Sequence, residues 1–285
     1  MKIAQAITEA ASVLQRAGVE QARREAASLL AHSTGRERAF LIAHSDARLA
    51  PHAVARFQEN VMRRARGEPL QYITGHQEFF GLDFEVTKDT LIPRPETELL
   101  VETALELFDP LKECASLICD VGTGSGCISI ALLHARQTLR VVGLDISPAA
   151  LRIARRNSHY HKVQDRLKLI ASDCFTALDA RHAKFALIVS NPPYVADCAF
   201  AGLQREVRDY EPRTALTSGA DGLTVIRQLL EDAPYYLMSS GYMIFEIGYD
   251  QYDKVKNLID AEVWKLLDIR EDLQGIPRTV VLKKK

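Results

Sequence analysis

From Ser116 onward, short apolar runs alternate with glycine-bearing turns and helix-length amphipathic segments, and this alternation leaves the chain very few architectures. Runs at Ser116–Val121, Arg140–Leu144, Leu167–Ala171, Phe185–Ser190 and Tyr242–Ile247 read as buried strands. Helices are expected at Cys127–Ala135, after Ser147-Pro148, at Leu223–Met238 and at Asp250–Ile259. Strand, crossover helix and strand in succession call for parallel pairing, with helices covering both faces. The tail holds two more apolar runs, Trp264–Ile269 and Thr279–Leu282, which suit a closing hairpin. The expected fold is α/β, a doubly wound, mostly parallel sheet of seven strands.

The first 68 residues have a different rhythm. Ile3, Ile7, Ala11 and Leu14, then Ala26, Leu29 and Leu30, recur at the spacing of amphipathic helices. Gly18 and Gly35 stand where helices end, and Pro51 opens a helix reaching about Arg66. A small helical domain is expected over 1–68. Arg56, Arg63, Arg64 and Arg66 make its last helix basic, which reads as a solvated face or, more sharply, as a macromolecular contact surface. Residues 69–92 carry Tyr72, Ile73, Phe79, Phe80, Phe84 and Val86 between Gly75 and Gly81, the composition of a β-hairpin linker. The main domain then runs over 93–285. Pro95 suits a first helical turn with Glu96 and Glu98 beside it, followed by a buried stripe of Leu99, Leu100, Ala104, Leu105 and Phe108.

Composition narrows the function classes. At 285 residues and 47% hydrophobic, the chain has enough apolar side chains for an ordinary core. Its net charge is −1, so the molecule as a whole is no electrostatic trap for nucleic acid or membrane. Residues 1–70 hold 11 Lys and Arg against 7 Asp and Glu, a net of +4 that leaves −5 for the remainder. Cys114, Cys119, Cys127, Cys174 and Cys198 form no CxxC pair, and no four His or Cys fall at zinc-like spacing, so free thiols and no metal are expected. The first 18 residues interleave charge with apolar positions, unlike a secretory leader, and no run of 18 apolar residues exists. A cytoplasmic protein is expected.

Two turns bear the chemistry. Asp120-Val121-Gly122-Thr123-Gly124-Ser125-Gly126 lies between a strand and a helix, where glycines let backbone approach a ligand and the helix N-terminus offers unpaired N–H groups. A dinucleotide fingerprint needs glycine where Cys127 stands, and a phosphate loop needs a lysine that is absent. What remains, an acid followed by G-x-G-x-G, suits the amino-acid end of S-adenosylmethionine. Asp145 ends the next strand 23 residues beyond Gly122, placed to accept the two ribose hydroxyls of an adenosine. Asp173, with Cys174 and Phe175, ends the third strand and is expected beside the adenine. The second turn is Asn191-Pro192-Pro193-Tyr194, directly after Phe185–Ser190. Proline fixes φ, lacks an N–H and pushes the preceding residue out of the helical region, so this segment is extended with carbonyls to spare.

Together, GTGSG, Asp145, SNPPYV, the linker LQYITGHQEFFGLDFEV with LIPRPETELLVE, and the late FEIGYDQ and DLQGIPR segments resemble the HemK/PrmC family, the glutamine methyltransferases of peptide chain release factors. The resemblance spans nearly the whole chain. It implies a Rossmann-like methyltransferase sheet, with the helical domain docking the substrate. The implied reaction passes a methyl group from S-adenosylmethionine to the side-chain amide nitrogen of glutamine in the Gly-Gly-Gln motif of class I release factors. Asp120, Gly122, Thr123, Gly124, Ser125, Gly126, Asp145, Asp173, Cys174 and Asn191 would then hold the cofactor. Asn191, Pro192, Pro193 and Tyr194 would hold the substrate amide, with Asn191, Pro192 and Tyr194 catalytic. Cys174 departs from relatives that carry an aromatic residue there. Glu246 is either an acceptor for the departing proton or a helix cap. A monomer with no direct nucleic-acid binding is expected. Two alternatives stay open: an adenine amino-methyltransferase on DNA or RNA, which shares NPPY, and a non-enzymatic S-adenosylmethionine-binding docking module.

Overall fold

The computed structural model describes residues 1–107 and 116–285; the expectations for Phe108 and Cys114 lie outside them. The chain divides into two compact units, Met1–His76 with Gln204–Tyr210, and Gln77–Leu203 with Glu211–Lys285.

The first unit is helical: α1 (Ile3–Arg16), α2 (Ala22–Thr34), α3 (Arg38–Ala43), α4 (Pro51–Ala65) and α5 (Leu70–Thr74). Ile3, Ala6, Ala10 and Leu14 of α1 pack with Ala26, Leu29 and Leu30 of α2 and with Phe57 and Val61 of α4. Each fully buried large side chain stabilises the unit by about 1.5–3 kcal/mol. Two expectations change here. Residues 70–74, read as strand from Tyr72 and Ile73, are helical and end at Gly75, whose φ is +83°. Ile73 is buried in the helical core, so tertiary packing overrides its strand preference. Nor is the basic side of α4 simply solvated. Arg64 is buried and holds Glu25 at 2.5 Å and Glu206 at 2.8 Å.

In the second unit, β1 (His76–Phe79) and β2 (Leu82–Glu85) form the expected hairpin. The chain continues through a short 3-10 turn at Pro95–Thr97 into α6 (Glu98–Leu107), then β3 (Leu117–Val121), α7 (Cys127–Ala135), β4 (Arg140–Asp145), α8 (Pro148–Tyr160), β5 (Leu167–Ala171) and β6 (Phe185–Ser190). After α9 (Arg205–Tyr210), which belongs to the first unit, come α10 (Thr224–Tyr236), β7 (Leu237–Glu246), α11 (Tyr252–Leu258), β8 (Trp264–Glu271) and β9 (Pro277–Lys284). The sheet order is β5-β4-β3-β6-β7-β9-β8. Its first five strands are parallel, and β9 and β8 close it antiparallel.

Successive strand residues serve opposite faces, as a period of two requires. Cys119, Ile188, Met243 and Phe245 pack with Ile226, Leu229 and Ala233 of α10 and Val255 of α11. Ile118, Leu187, Val189 and Ile244 pack instead with Leu100 and Val101 of α6 and Ile128 to Leu133 of α7. Strand order reverses between β3 and β6, and in open α/β sheets ligands bind in the crevice at the carboxyl end of such a switch. The Gly122 and Asn191 turns leave the sheet from those two strand ends. Among the described residues no helix is long and apolar enough to cross a membrane.

Candidate active site

The first turn is built on left-handed glycines. Gly122, Gly124 and Gly126 have φ of +77°, +57° and +82°, a region where a Cβ is strained. The amides of Gly122 and Thr123 donate to the Leu144 carbonyl, tying the turn to the end of β4. Asp120 lies behind this turn rather than on its open side. It is fully buried, and its Oδ2 accepts from Thr123 Oγ1 at 2.7 Å and Ser129 Oγ at 2.6 Å. Burial pushes its carboxyl up to about 6. Thr123 and Ser125 are also buried, and among the described residues Asp120 Oδ1 has no hydrogen-bond partner.

Asp145 ends β4 with one oxygen accepting from Gly124 N and the other from Ser147 N, both at 2.8 Å. These bonds fix the carboxylate beside the glycine turn, and each oxygen keeps acceptor capacity. Burial raises the Asp145 carboxyl, and the two amides pull it back down. Next to it Ile146 is 61% exposed, an apolar side chain at the strand end that the sequence reading passed over. Asp173 is exposed at the end of β5. Cys174 and Phe175 are not the expected apolar wall: both are in the core, and the Phe175 ring stacks on Tyr236 at 4.7 Å. Cys174 itself has φ +43° and is buried.

In the second turn, Ser190 Oγ donates to the Val121 carbonyl at 2.7 Å, joining the roots of both loops. A Cβ on Gly122 would meet the Asn191 carbonyl oxygen at 3.8 Å, so the two backbones face each other closely. Pro192 is buried, and Asn191, Pro193 and Tyr194 are half-buried. The Tyr194 carbonyl accepts from Gln251 Nε2 at 2.9 Å, while Gln251 Oε1 accepts from Gly248 N. Burial pushes the Tyr194 phenol up, with the neighbouring Glu246 adding to it, so the ring stays protonated.

Behind Asn191 stands a buried array that sequence reasoning mostly missed. Asn191 Nδ2 donates to Thr97 Oγ1 at 3.0 Å, and Thr97 Oγ1 donates to Glu246 Oε2 at 2.7 Å. Tyr194 OH lies 3.4 Å from Glu246 Oε1. Burial lifts the Glu246 carboxyl to about 7 against the pull of Thr97 and Arg278. Glu246 is therefore no helix cap: both oxygens turn inward to Thr97 and Tyr194. The sequence signal for Thr97 was its place in LIPRPETE, which marked a family without assigning that residue a role. In the same segment Arg94 pairs with the buried Glu211 at 2.5 Å, and Glu98 accepts the Phe80 amide at 2.8 Å.

The site thus offers a glycine cradle, a carboxylate at ribose distance in sequence, an apolar neighbour and an extended polar rim. S-adenosylmethionine, which supplies an electrophilic methyl group when bound, fits this set. The buried Ser125 hydroxyl and the side-chain-free Gly122 and Gly124 suit its amino-acid end, and Asp145 suits its ribose.

The chain resembles known proteins along its whole length. Residues 5–75 match the PrmC N-terminal domain and residues 96–209 the methyltransferase small domain. A release factor glutamine methyltransferase of Koribacter versatilis is 39% identical over 284 residues, covering 100% of this chain and 99% of that one. One from Moorella thermoacetica is 44% identical over 261 residues, covering 92% and 90%. Among solved structures, a methyltransferase from Pyrococcus furiosus superposes with a TM-score of 0.52 at 17% identity, covering 80% of this chain and 97% of that one. The human methyltransferase 10 domain containing protein gives 0.51 at 17%, covering 80% and 96%. At such identity these two speak for the fold alone. The end-to-end relatives show that the chain belongs to the release factor glutamine methyltransferase family.

Proposed function

We propose that this enzyme transfers a methyl group from S-adenosylmethionine to the side-chain amide nitrogen of the Gly-Gly-Gln glutamine of class I peptide chain release factors. The observation that carries this reading is the commitment of Asn191 Nδ2 to Thr97, which leaves Oδ1 as the group offered to a substrate. Among the described residues no donor reaches the Pro192 carbonyl oxygen. Asn191 Oδ1 and Pro192 O are then two acceptors on one rigid turn, matched to the two N–H groups of a primary amide.

An amide nitrogen is a weak nucleophile, because its lone pair is delocalised into the carbonyl. Two acceptors that hold its hydrogens fix the orientation of the nitrogen, and near-attack positioning of this kind lowers a barrier by as much as about 7–11 kcal/mol. Tyr194 walls the planar amide and presents an aromatic face to the sulfonium. On the cofactor side, Gly122, Gly124 and Ser125 receive the amino-acid end and Asp145 the ribose. Ile146 takes the apolar role beside the adenine first given to Cys174, with Asp173 near the exocyclic amine. Asp120 and Thr123 act from behind by bracing the turn. The helical first unit docks the release factor, and the enzyme works as a monomer in the cytoplasm, where that substrate operates.

The test offers radiolabelled S-adenosylmethionine with a class I release factor, duplex DNA and RNA in parallel. Label on the release factor, lost when its Gly-Gly-Gln glutamine is replaced, supports the proposal. Label on nucleic acid alone, or tight cofactor binding with no transfer, overturns it.

A further inference from the structure

We propose that Thr97 and Glu246 are positioning residues that set the polarity of the Asn191 amide: an ionised Glu246 forces Asn191 to show its oxygen, not its NH2 group, to the substrate. The proposal rests on the glutamine-methylating reading above and deepens it.

A carboxylate can only accept, and a threonine hydroxyl has one hydrogen. With Glu246 ionised, Thr97 must give that hydrogen to Oε2, at 2.7 Å. Its oxygen is then only an acceptor, so the group it receives from Asn191 at 3.0 Å must be the Nδ2 amine. The direction of every bond in the row follows from one charge. Thr97 and Glu246 are buried with 2% of their surface exposed, so water does not supply alternative partners. They come from two places in the chain, the turn before α6 and the end of β7, and meet behind the Asn191 loop that follows β6.

Protonating Glu246 removes the constraint. With the proton on Oε2, the new O–H can donate to Thr97, Thr97 can donate to Asn191 Oδ1, and the Asn191 amide is free to turn over. The rim then offers a donor where the substrate amide brings a donor, and the site holds the wrong polarity. The groups facing Glu246 are the Tyr194 hydroxyl from the loop after β6, Arg278 of β9 and Glu96 from the turn before α6. Arg278 is itself engaged by Asp272 at 3.0 Å, and Tyr194 stays neutral, so Glu246 is the group in this array that titrates near neutrality. Burial carries it to about 7, so its charge changes within the ordinary pH range.

Single-turnover methylation of a class I release factor at saturating S-adenosylmethionine, followed against pH, tests this. Wild type is expected to gain rate with rising pH through about 7 and then level off. Thr97→Val, which keeps shape and removes the hydroxyl, is expected to lose about 100-fold in rate and the pH inflection, while cofactor affinity by calorimetry holds. Thr97→Ser restores both rate and inflection. Glu246→Gln, able to point either its oxygen or its NH2 at Thr97, is expected to be slowed and flat with pH. A purely structural role predicts instead that the inflection survives in every folded variant. Wild-type rate or an intact inflection in Thr97→Val overturns the proposal; should that variant not fold, the same result in Glu246→Gln does so. Absence of label with the wild-type enzyme is a different failure, because it overturns the function reading itself.

Discussion

A Cβ placed on Gly222 would stand 2.2 Å from the carbonyl oxygen of Tyr194. The glycine has φ +77°, and Gln251 Nε2 reaches both the Tyr194 and Gly222 carbonyls. The tightest contact is backbone against backbone, with Gln251 Nε2 next at 3.0 Å. Gly222→Ala therefore displaces the Tyr194 segment. It is expected to lower kcat about 100-fold through misplacement of the substrate turn, with about 1–2 kcal/mol of strain added at the left-handed position. Thermal unfolding and initial rates check both, and an unchanged kcat would show that the turn tolerates the shift.

Asn191→Ala removes the proposed acceptor without touching the glycine turn. The expected loss is about 10²–10³ in kcat, the range seen when one preorganised hydrogen-bonding group is deleted. S-adenosylmethionine affinity measured by calorimetry should stay near wild type. A variant that methylates release factor at the normal rate would remove Asn191 from the mechanism.

Asp145→Ala leaves the amides of Gly124 and Ser147 without their carboxylate and takes away the proposed ribose acceptor. Hydrogen bonds to charged groups contribute about 1.5–3 kcal/mol each. Cofactor Kd is expected to rise at least about tenfold, with the fold retained by far-UV circular dichroism. Equal affinities in the two proteins would place the ribose elsewhere.

Stability should fall as pH rises from about 4 to about 7 and change little from these groups above that. Asp120 and Glu246 titrate near 6 and 7 in the fold against ordinary values of 3.8 and 4.5. For acids raised in this way, the favourable contribution is complete below the unfolded values and disappears as pH climbs through the folded ones. Each contributes a change of at most about 3 kcal/mol. Urea unfolding of the cofactor-free protein at several pH values should show this slope, reduced in Glu246→Gln. Parallel slopes in both proteins would assign the dependence to other groups.

Arg94 is the ion-pair partner of Glu211, whose side chain is 1% exposed and also accepts the Ile92 amide. Arg94→Ala leaves that charge buried and is expected to destabilise by about 3 kcal/mol. Replacing both residues, Arg94→Met with Glu211→Leu, should recover much of the loss. Unfolding free energies of the three proteins decide it, and an additive double variant would mean that the two side chains do not act as a pair.

Local pattern was enough for much of the architecture. Leu167–Ala171 and Phe185–Ser190 form strands over the ranges their apolar runs suggested, and α4 starts at Pro51. Residues 70–74 misled because strand preference reflects packing on a pleated surface, and Ile73 found a helical core to fill instead. Arg64 looked solvated because its partners Glu25 and Glu206 are remote in sequence. Phe175 looked like a cofactor wall because an aromatic residue at a strand end carries no mark of which way it faces.

By itself, the sequence determined the sheet, the glycine turn, the proline-stiffened Asn191 loop and the family. These follow from short-range causes: periodicity, φ limits at glycine and proline, and residue order along a few positions. Only the tertiary structure decided what stands behind that loop. Thr97 and Asn191 are 94 residues apart and Thr97 and Glu246 are 149 apart, and no local rule joins them. Burial then gives the row its meaning, since in a dry site a single charge dictates the direction of every hydrogen bond that leads from Glu246 to Asn191.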